Sequence, residues 1–445
     1  MKLFGALGVL LIGLTLAGIA LHVSGEGWVG SHERLNVLVG LMGVQVAAYL
    51  AAIALVLRRP VPKRLIWLVL GVAVAMRVPM LIEPPFLSSD INRYVWDGRV
   101  QAAGINPYLY VPADPALAGL RDHPVYVHIN RADYARTIYP PAAELVFAAI
   151  GFVSQTVFAT KLVMVGFEAL AIACLLRLLA IARLPAERVL IYAWNPLAAW
   201  SFAGNGHIDA AAVGLLGLAL LLRVRGRDGW AGFAFGAAVL MKFLPAVVAP
   251  ALWRARAGWR LAAAALVTVL ALYAVYIGAG WHVLGFLGGY GSEEGLDDGS
   301  GVWLLAGLAK IVSLPAWAPK VYFAGAVALL VLLGCRIAFR PHPPVGSAQD
   351  VVATCSGAAL LMAVLTFAIS PHYPWYFPWL ALPCAVAPSA AVIWLSVMPI
   401  VLYIDPFDDR FYWPSLVFLP VLVLGLLALR RRRVRISSVA TEGTA

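Results

Sequence analysis

A chain of 445 residues that is 62% hydrophobic and only 12% charged is not a soluble globular protein, because soluble domains average about 45–50% apolar and about 25% charged residues. Apolar runs near twenty residues recur along it, the length that crosses a hydrocarbon core about 30 Å thick. The chain therefore reads as an all-α, polytopic membrane protein forming a single integral-membrane domain over residues 1–445. The formal charge of +11 does not point to nucleic acid. Positive residues fall in short loops and in the tail Arg430-Arg431-Arg432-Arg433, as in cytoplasmic segments facing anionic membrane lipids.

Residues 3–21 follow Lys2 and are long for a signal-peptide core, so they read as a retained span. The second apolar run ends before Arg58, Arg59, Lys63 and Arg64. That basic loop belongs inside the cell, and with it the N-terminus. Residues 1–57 are thus two helices ahead of a third span, 65–82, which exits outward. The next segment, 83–139, carries Glu83, Asp90, Asp97, Asp114, Asp122 and Asp133 together with Arg93, Arg99, Arg121, Arg131 and Arg136. Charges placed where a helix leaves the bilayer can reach a lipid-borne substrate and still touch water.

Residues 142–158 are apolar but interrupted by Glu144, Gly151, Ser154 and Gln155. They are expected to lie along the outer interface, with Pro141 in the first helical turn. This makes 83–158 an outer catalytic loop with interfacial helices. Residues 161–182 then cross inward toward Arg183 and Arg188. Two hairpins follow, with arms 190–203 and 208–222 around Gly204-Asn205-Gly206-His207, and arms 229–241 and 243–253 around Lys242. Arginines flank their inner ends (Arg188, Arg223, Arg225, Arg227, Arg254, Arg256, Arg260). Arms of about 11 to 15 residues, at about 1.5 Å rise, cannot reach across the bilayer. Their tips must sit below the outer surface, where only a cavity tolerates polar backbone.

Residues 262–278 run outward again. A second outer loop, 279–319, is Gly-rich and carries Glu293, Glu294, Asp297 and Asp298. Spans near 321–339, 351–369, 376–386, 391–404 and 416–429 complete about fourteen crossings, with about twelve as the lower bound and both termini cytoplasmic. The four cysteines, Cys174, Cys335, Cys355 and Cys384, sit in apolar runs without metal-binding spacing. They read as small core hydrophobes.

Asp90 follows the third span closely. Beside a bilayer cavity its carboxylate suits a general base that takes a proton from a hydroxyl, and as plain structure it would cap a helix starting at Ile91. Asp97 lies on the same face if that segment is helical. It could line the substrate site or pair with Arg93 or Arg99. At the first hairpin tip, Asn205, His207 and Asp209 form a polar knot at membrane depth. Ionisable groups there cost about 2.5–3.5 kcal/mol on insertion scales and are usually functional or paired. Lys242 is an ammonium embedded between Ala237-Ala238-Val239-Leu240-Met241 and Phe243-Leu244-Pro245. A phosphate would stabilise it, and so would a buried acid. In Ser370-Pro371-His372-Tyr373, the histidine could join a phosphate site and the tyrosine a substrate site, or the segment could belong to an interfacial aromatic belt. Tyr139-Pro140-Pro141 is a rigid turn whose tyrosine could face substrate.

The run Ser89-Asp90-Ile91-Asn92-Arg93-Tyr94-Val95-Trp96-Asp97-Gly98-Arg99, continuing to Asn106-Pro107-Tyr108, resembles bacterial GT-C membrane glycosyltransferases of the polyprenyl-phosphate-mannose-dependent type. Ile138-Tyr139-Pro140-Pro141, Trp194-Asn195-Pro196-Leu197, Gly204 to Asp209, Met241-Lys242-Phe243-Leu244-Pro245 and Ser370 to Tyr373 follow in that family's order. Together these motifs cover roughly residues 65–383. The resemblance implies a GT-C-like bundle, Asp90 as the catalytic acid of the first large outer loop, and a sugar donor on polyprenyl phosphate. It departs from the family at the N-terminus, where two extra helices precede that loop and Ser89 stands where a paired acid is familiar.

The expected activity is an inverting transfer of a hexose, mannose foremost, to a lipid, glycan or protein acceptor at the outer face of the plasma membrane. Lys242, Arg93, Arg99 and His372 would hold the donor phosphate. Asp97, Asn205, His207, Asp209, Tyr139 and Tyr373 would shape the substrate pocket; no cofactor is expected, with a divalent metal as the unsupported alternative. A multi-spanning transporter or lipid flippase is the alternative, since broken helices with charged tips also bind ions. The chain shows no internal repeat to favour it.

Overall fold

The computed structural model describes residues 1–23, 32–255, 257–405, 408 and 411–442. Of the arginines assigned above to cytoplasmic ends, Arg256 lies outside them. The described residues form helices and no strand. The N-terminal part comprises α1 (Lys2–Val23), α2 (His32–Arg58), α3 (Leu65–Ile82), α4 (Asp90–Ala102), α5 (Pro141–Val153) and α6 (Val157–Ile181). A bent pair follows, α7 (Pro196–Gly204) and α8 (Asp209–Val224), inclined at 117° across its break. Beyond it lie α9 (Asp228–Met241), α10 (Gly258–Val275), α11 (Leu287–Glu293), α12 (Ala318–Ala338), α13 (Ala348–Ile369) and α14 (Tyr412–Glu442).

Eight of these helices are long and apolar enough to cross a membrane, or nine if the bent pair is one span. The expected count of about fourteen is therefore not confirmed. The excess comes from six short segments read as crossings: the four hairpin arms, 376–386 and 391–404. Proline breaks most of them. Pro196, Pro245, Pro250, Pro374, Pro378 and Pro399 all sit at or near the start of a short helical turn, where the missing N–H and fixed φ start a turn but cannot continue one. Pro141 opens α5, as its position suggested.

Buried polar groups tie the bundle together. Arg77 of α3 pairs with Glu168 of α6 at 2.7 Å and also donates to the Ala193 carbonyl at 2.9 Å. Trp194 Nε1 donates to the Val69 carbonyl at 2.8 Å, and Trp200 Nε1 to Gln45 Oε1 of α2 at 2.9 Å. The two N-terminal helices are thus packed into the body and not appended to it. Lys161 Nζ, fully buried, donates to the Met80 and Glu83 carbonyls. It satisfies the otherwise orphaned end of α3 at the point where the chain turns toward Asp90.

Candidate active site

Asn205 sets the approach to α4. Its Oδ1 accepts from Phe86 N at 3.2 Å and Leu87 N at 2.9 Å, so the extended stretch before Asp90 is held by the tip of the bent pair. Asp90 is the first residue of α4, with Ser88 Oγ accepting from its backbone N–H at 3.3 Å. At the other side of α4, Gly98 meets α5 so closely that a Cβ would lie 2.3 Å from the Phe147 carbonyl oxygen. Glycine is required there by contact, and it seats α4 on its neighbour.

A cavity of about 670 Å³ opens beside Asp90. Asp90, Arg93, Tyr139, Lys242 and Tyr373 line it, together with Asn130, Arg131, Arg136, Tyr290 and Tyr376. Apolar residues from separate parts of the chain, including Leu35, Phe243, Leu244, Phe286 and Leu287, complete the wall. Volume and mixed lining fall in the range of small-ligand sites.

Asn130 Nδ2 donates to Asp90 Oδ1 at 3.3 Å. Burial raises the Asp90 carboxyl above the ordinary carboxylate range, while Lys242, Asn130 and Arg131 pull it back and Asp209 pushes it up. A carboxylate tuned upward while still facing cations is what a proton acceptor needs.

The Lys242 ammonium donates to both Asp209 oxygens, at 2.7 and 2.8 Å, and stands 3.6 Å over the Tyr376 ring. Arg131 mirrors it. Its Nε donates to Glu293 Oε2 at 2.6 Å, and its guanidinium lies over Tyr290 at 5.7 Å. The two tyrosine hydroxyls are 2.8 Å apart. Two half-neutralised cations on a bridged tyrosine pair thus face the cavity that Asp90 faces. Arg131 has φ +57°, a strained conformation for a side chain of its size and one that recurs at functional sites.

The remaining expected site residues stand elsewhere. Asp97 is clamped by Arg93 Nε at 2.8 and 2.9 Å. Burial raises the Asp97 carboxyl against the pull of Arg93, and raises that of neighbouring Glu144 further. Arg99 reaches Asp122 at 2.7 Å and the Leu120 carbonyl at 3.0 Å, pinning its own loop. His372 pairs with Glu294 at 3.1 Å in a second, neighbouring cavity of about 540 Å³. Asn205, His207 and Asp209 stand behind the wall. Asn130 and Tyr290 had no signal in the sequence, because each reaches the cavity from a segment distant from Asp90, Tyr290 from α11, and Tyr376 read only as part of an interfacial aromatic belt. Arg131 was visible only as one charge among many.

The family model MptA_B, alpha-(1->6)-mannopyranosyltransferase, N-terminal domain, matches residues 4–258. The chain belongs to this family. No curated protein and no solved structure matches it. As a member of the MptA_B family the protein is a glycosyltransferase that transfers a mannosyl group, built as an all-helical membrane protein. Membership sets aside the transporter reading. The matched span contains Asp90, Arg131, Asp209 and Lys242, whereas Tyr290, Tyr373 and Tyr376 come from beyond it.

Proposed function

We propose that this protein takes mannose from a polyprenyl-phosphate donor and transfers it, with inversion, to a lipid, glycan or protein acceptor at the outer face of the plasma membrane, forming the α-(1→6) linkage of its family. Asp90 removes the proton from the acceptor hydroxyl, the oxygen attacks the anomeric carbon, and the bond from that carbon to the phosphate oxygen breaks. Polyprenyl phosphate leaves with the electron pair. Lys242 and Arg131 stabilise the departing phosphate in a water-poor site, where such contacts count for more. Arg93 and Arg136 add positive potential, and Tyr139 and Tyr373 form the sugar-facing wall. The apolar wall of Leu35, Phe243, Leu244 and Leu287 suits the isoprenoid tail. A lipid-borne donor requires no nucleotide-binding domain.

The observation that carries this reading is that Asp90 and Lys242, far apart in sequence, face one cavity with both cationic and apolar walls. Purified protein in lipid nanodiscs, offered polyprenyl-phosphate mannose or a nucleotide-activated mannose, tests it. Transfer from the lipid donor alone is expected; transfer from the nucleotide donor alone would refute it. Because two protein cations take the role of a metal here, activity should also survive a chelator of divalent ions. Loss on chelation, restored by one ion, would show that the phosphate is held otherwise.

A further inference from the structure

His207 presents an anomaly. The side chain is completely buried at the break between α7 and α8, and neither ring nitrogen has a hydrogen-bond partner among the described residues. Buried polar atoms are nearly always satisfied, so an orphan in a folded protein demands a physical reason. Its Nδ1 lies 3.8 Å from Asp90 Oδ2, just outside hydrogen-bond length. Asp90 lines the cavity and His207 does not. The imidazole therefore addresses the carboxylate from the side away from substrate.

The ring is also locked in place. It stacks on Trp375, centroids 4.1 Å apart at 17°, and Trp375 stacks on Tyr373 of the cavity wall at 4.8 Å and 9°. The backbone N–H of His207 donates to the Ser201 carbonyl at 3.2 Å. Preceding it, Gly206 has φ +68°, and a Cβ there would strike Ile91 Cδ1 at 2.3 Å. Ile91 is the residue after Asp90, so the first turn of α4 and the histidine tip are packed as one unit.

We propose that His207 is a positioning residue for Asp90: its Nδ1–H donates to Oδ2 as the acceptor binds, while Asn130 holds Oδ1. The two contacts fix the carboxylate plane toward the acceptor hydroxyl. A shift of roughly 1 Å closes the gap to hydrogen-bond length. Orientation of a base by a third group is a recurrent catalytic arrangement. This inference rests on Asp90 being the base.

The test compares three variants of the full-length protein with polyprenyl-phosphate mannose and a simple α-mannoside acceptor. His207→Phe keeps the stacked ring without nitrogen, His207→Asn places an amide nitrogen near Nδ1, and His207→Gln places one near Nε2. His207→Phe should lower kcat about 10- to 100-fold, the worth of a hydrogen bond to a charged group, with donor KM within about twofold. The acid limb of its pH profile should move up, because a donor to the ionised form has gone. Lys242, Asp209, Arg131, Tyr94, Tyr139, Tyr290, Tyr373, Tyr376 and Tyr403 also face Asp90 and are unchanged, so such a shift belongs to His207. His207→Asn should recover most of the loss and His207→Gln should not; this contrast stands even if the Phe variant fails to fold. Equal Asn and Gln values, a loss confined to KM, or an unmoved kcat and pH profile would each overturn the proposal. Asp90→Asn, assayed alongside, separates the two readings: an active Asp90 variant defeats the base itself, whereas an inactive one beside a normal His207→Phe defeats only the positioning role.

Discussion

Asp90→Asn preserves shape while removing the base, so transfer should fall at least about 10²-fold with donor binding largely retained. Near-normal turnover at normal protein level would exclude the role. The sign of the pH dependence follows from the carboxyl's surroundings. Burial holds its pKa up, so the basic form is lost as pH falls through a value above the ordinary carboxylate range, and the acid limb should sit higher than for an exposed aspartate. Lys242 opposes that rise, so Lys242→Met should shift the limb upward again. The same substitution leaves Asp209, its side chain 9% exposed, without its cation. Breaking a buried pair costs about 3–5 kcal/mol. The melting temperature should therefore drop, and Lys242→Met with Asp209→Leu should recover part of it. Unchanged stability in the single variant would mean the ion pair contributes little. Asp90 and Lys242 were legible in the sequence because each is a charge where the pattern demands oil or an exit from it. Arg99 and His372 carried the same signal, but their nearby acids, Asp122 and Glu294, claim them. No sequence pattern reveals which of two neighbouring acids takes a cation.

Among the elements, helix α4 was legible in outline: it starts at Asp90, which opens the helix and does not cap one beginning at Ile91, and the Arg93–Asp97 spacing of four residues gives the ion pair observed. Its seat was not legible, because the approach of α4 to α5 depends on two glycines far apart in sequence. A Cβ on Gly151 would fall 2.4 Å from the Gly98 carbonyl oxygen, and one on Gly98 would fall 2.3 Å from that of Phe147. Both obstacles are backbone and cannot swing aside. Gly98→Ala should force the helices apart and tilt α4, at a cost of about 1–3 kcal/mol for overpacking. Activity should fall by more than the population of unfolded protein explains, since Asp90 starts the tilted helix. Gly119→Ala, where nothing lies within 4 Å, is the control. If Gly98→Ala keeps full turnover and melting temperature, the close contact is not what seats Asp90.

At the scale of the whole molecule, membrane character was legible in composition and recurring apolar runs, but the number of crossings was not, since a short crossing arm and a re-entrant one carry the same apolar pattern. Eight crossings, by the candidate spans α1, α2, α3, α6, α10, α12, α13 and α14, would bring both termini to one side. They would also bring Arg58, Arg183, Arg227 and Arg340 to that side, which the charge bias of cytoplasmic loops requires. Nine crossings, with the bent pair counted as a span, would separate the termini and put Arg227 across the membrane from Arg183. We therefore expect the bent pair to enter and return on the cytoplasmic side, with Asn205, His207 and Asp209 carried at its tip toward Asp90. In a cysteine-free background, Asp114→Cys should label from outside intact cells, whereas Arg227→Cys and Arg340→Cys should label only after permeabilisation. Outside labelling at 227 would make the pair a crossing helix and reverse the sides of everything after it, although Asp90 and Lys242 would still face one cavity.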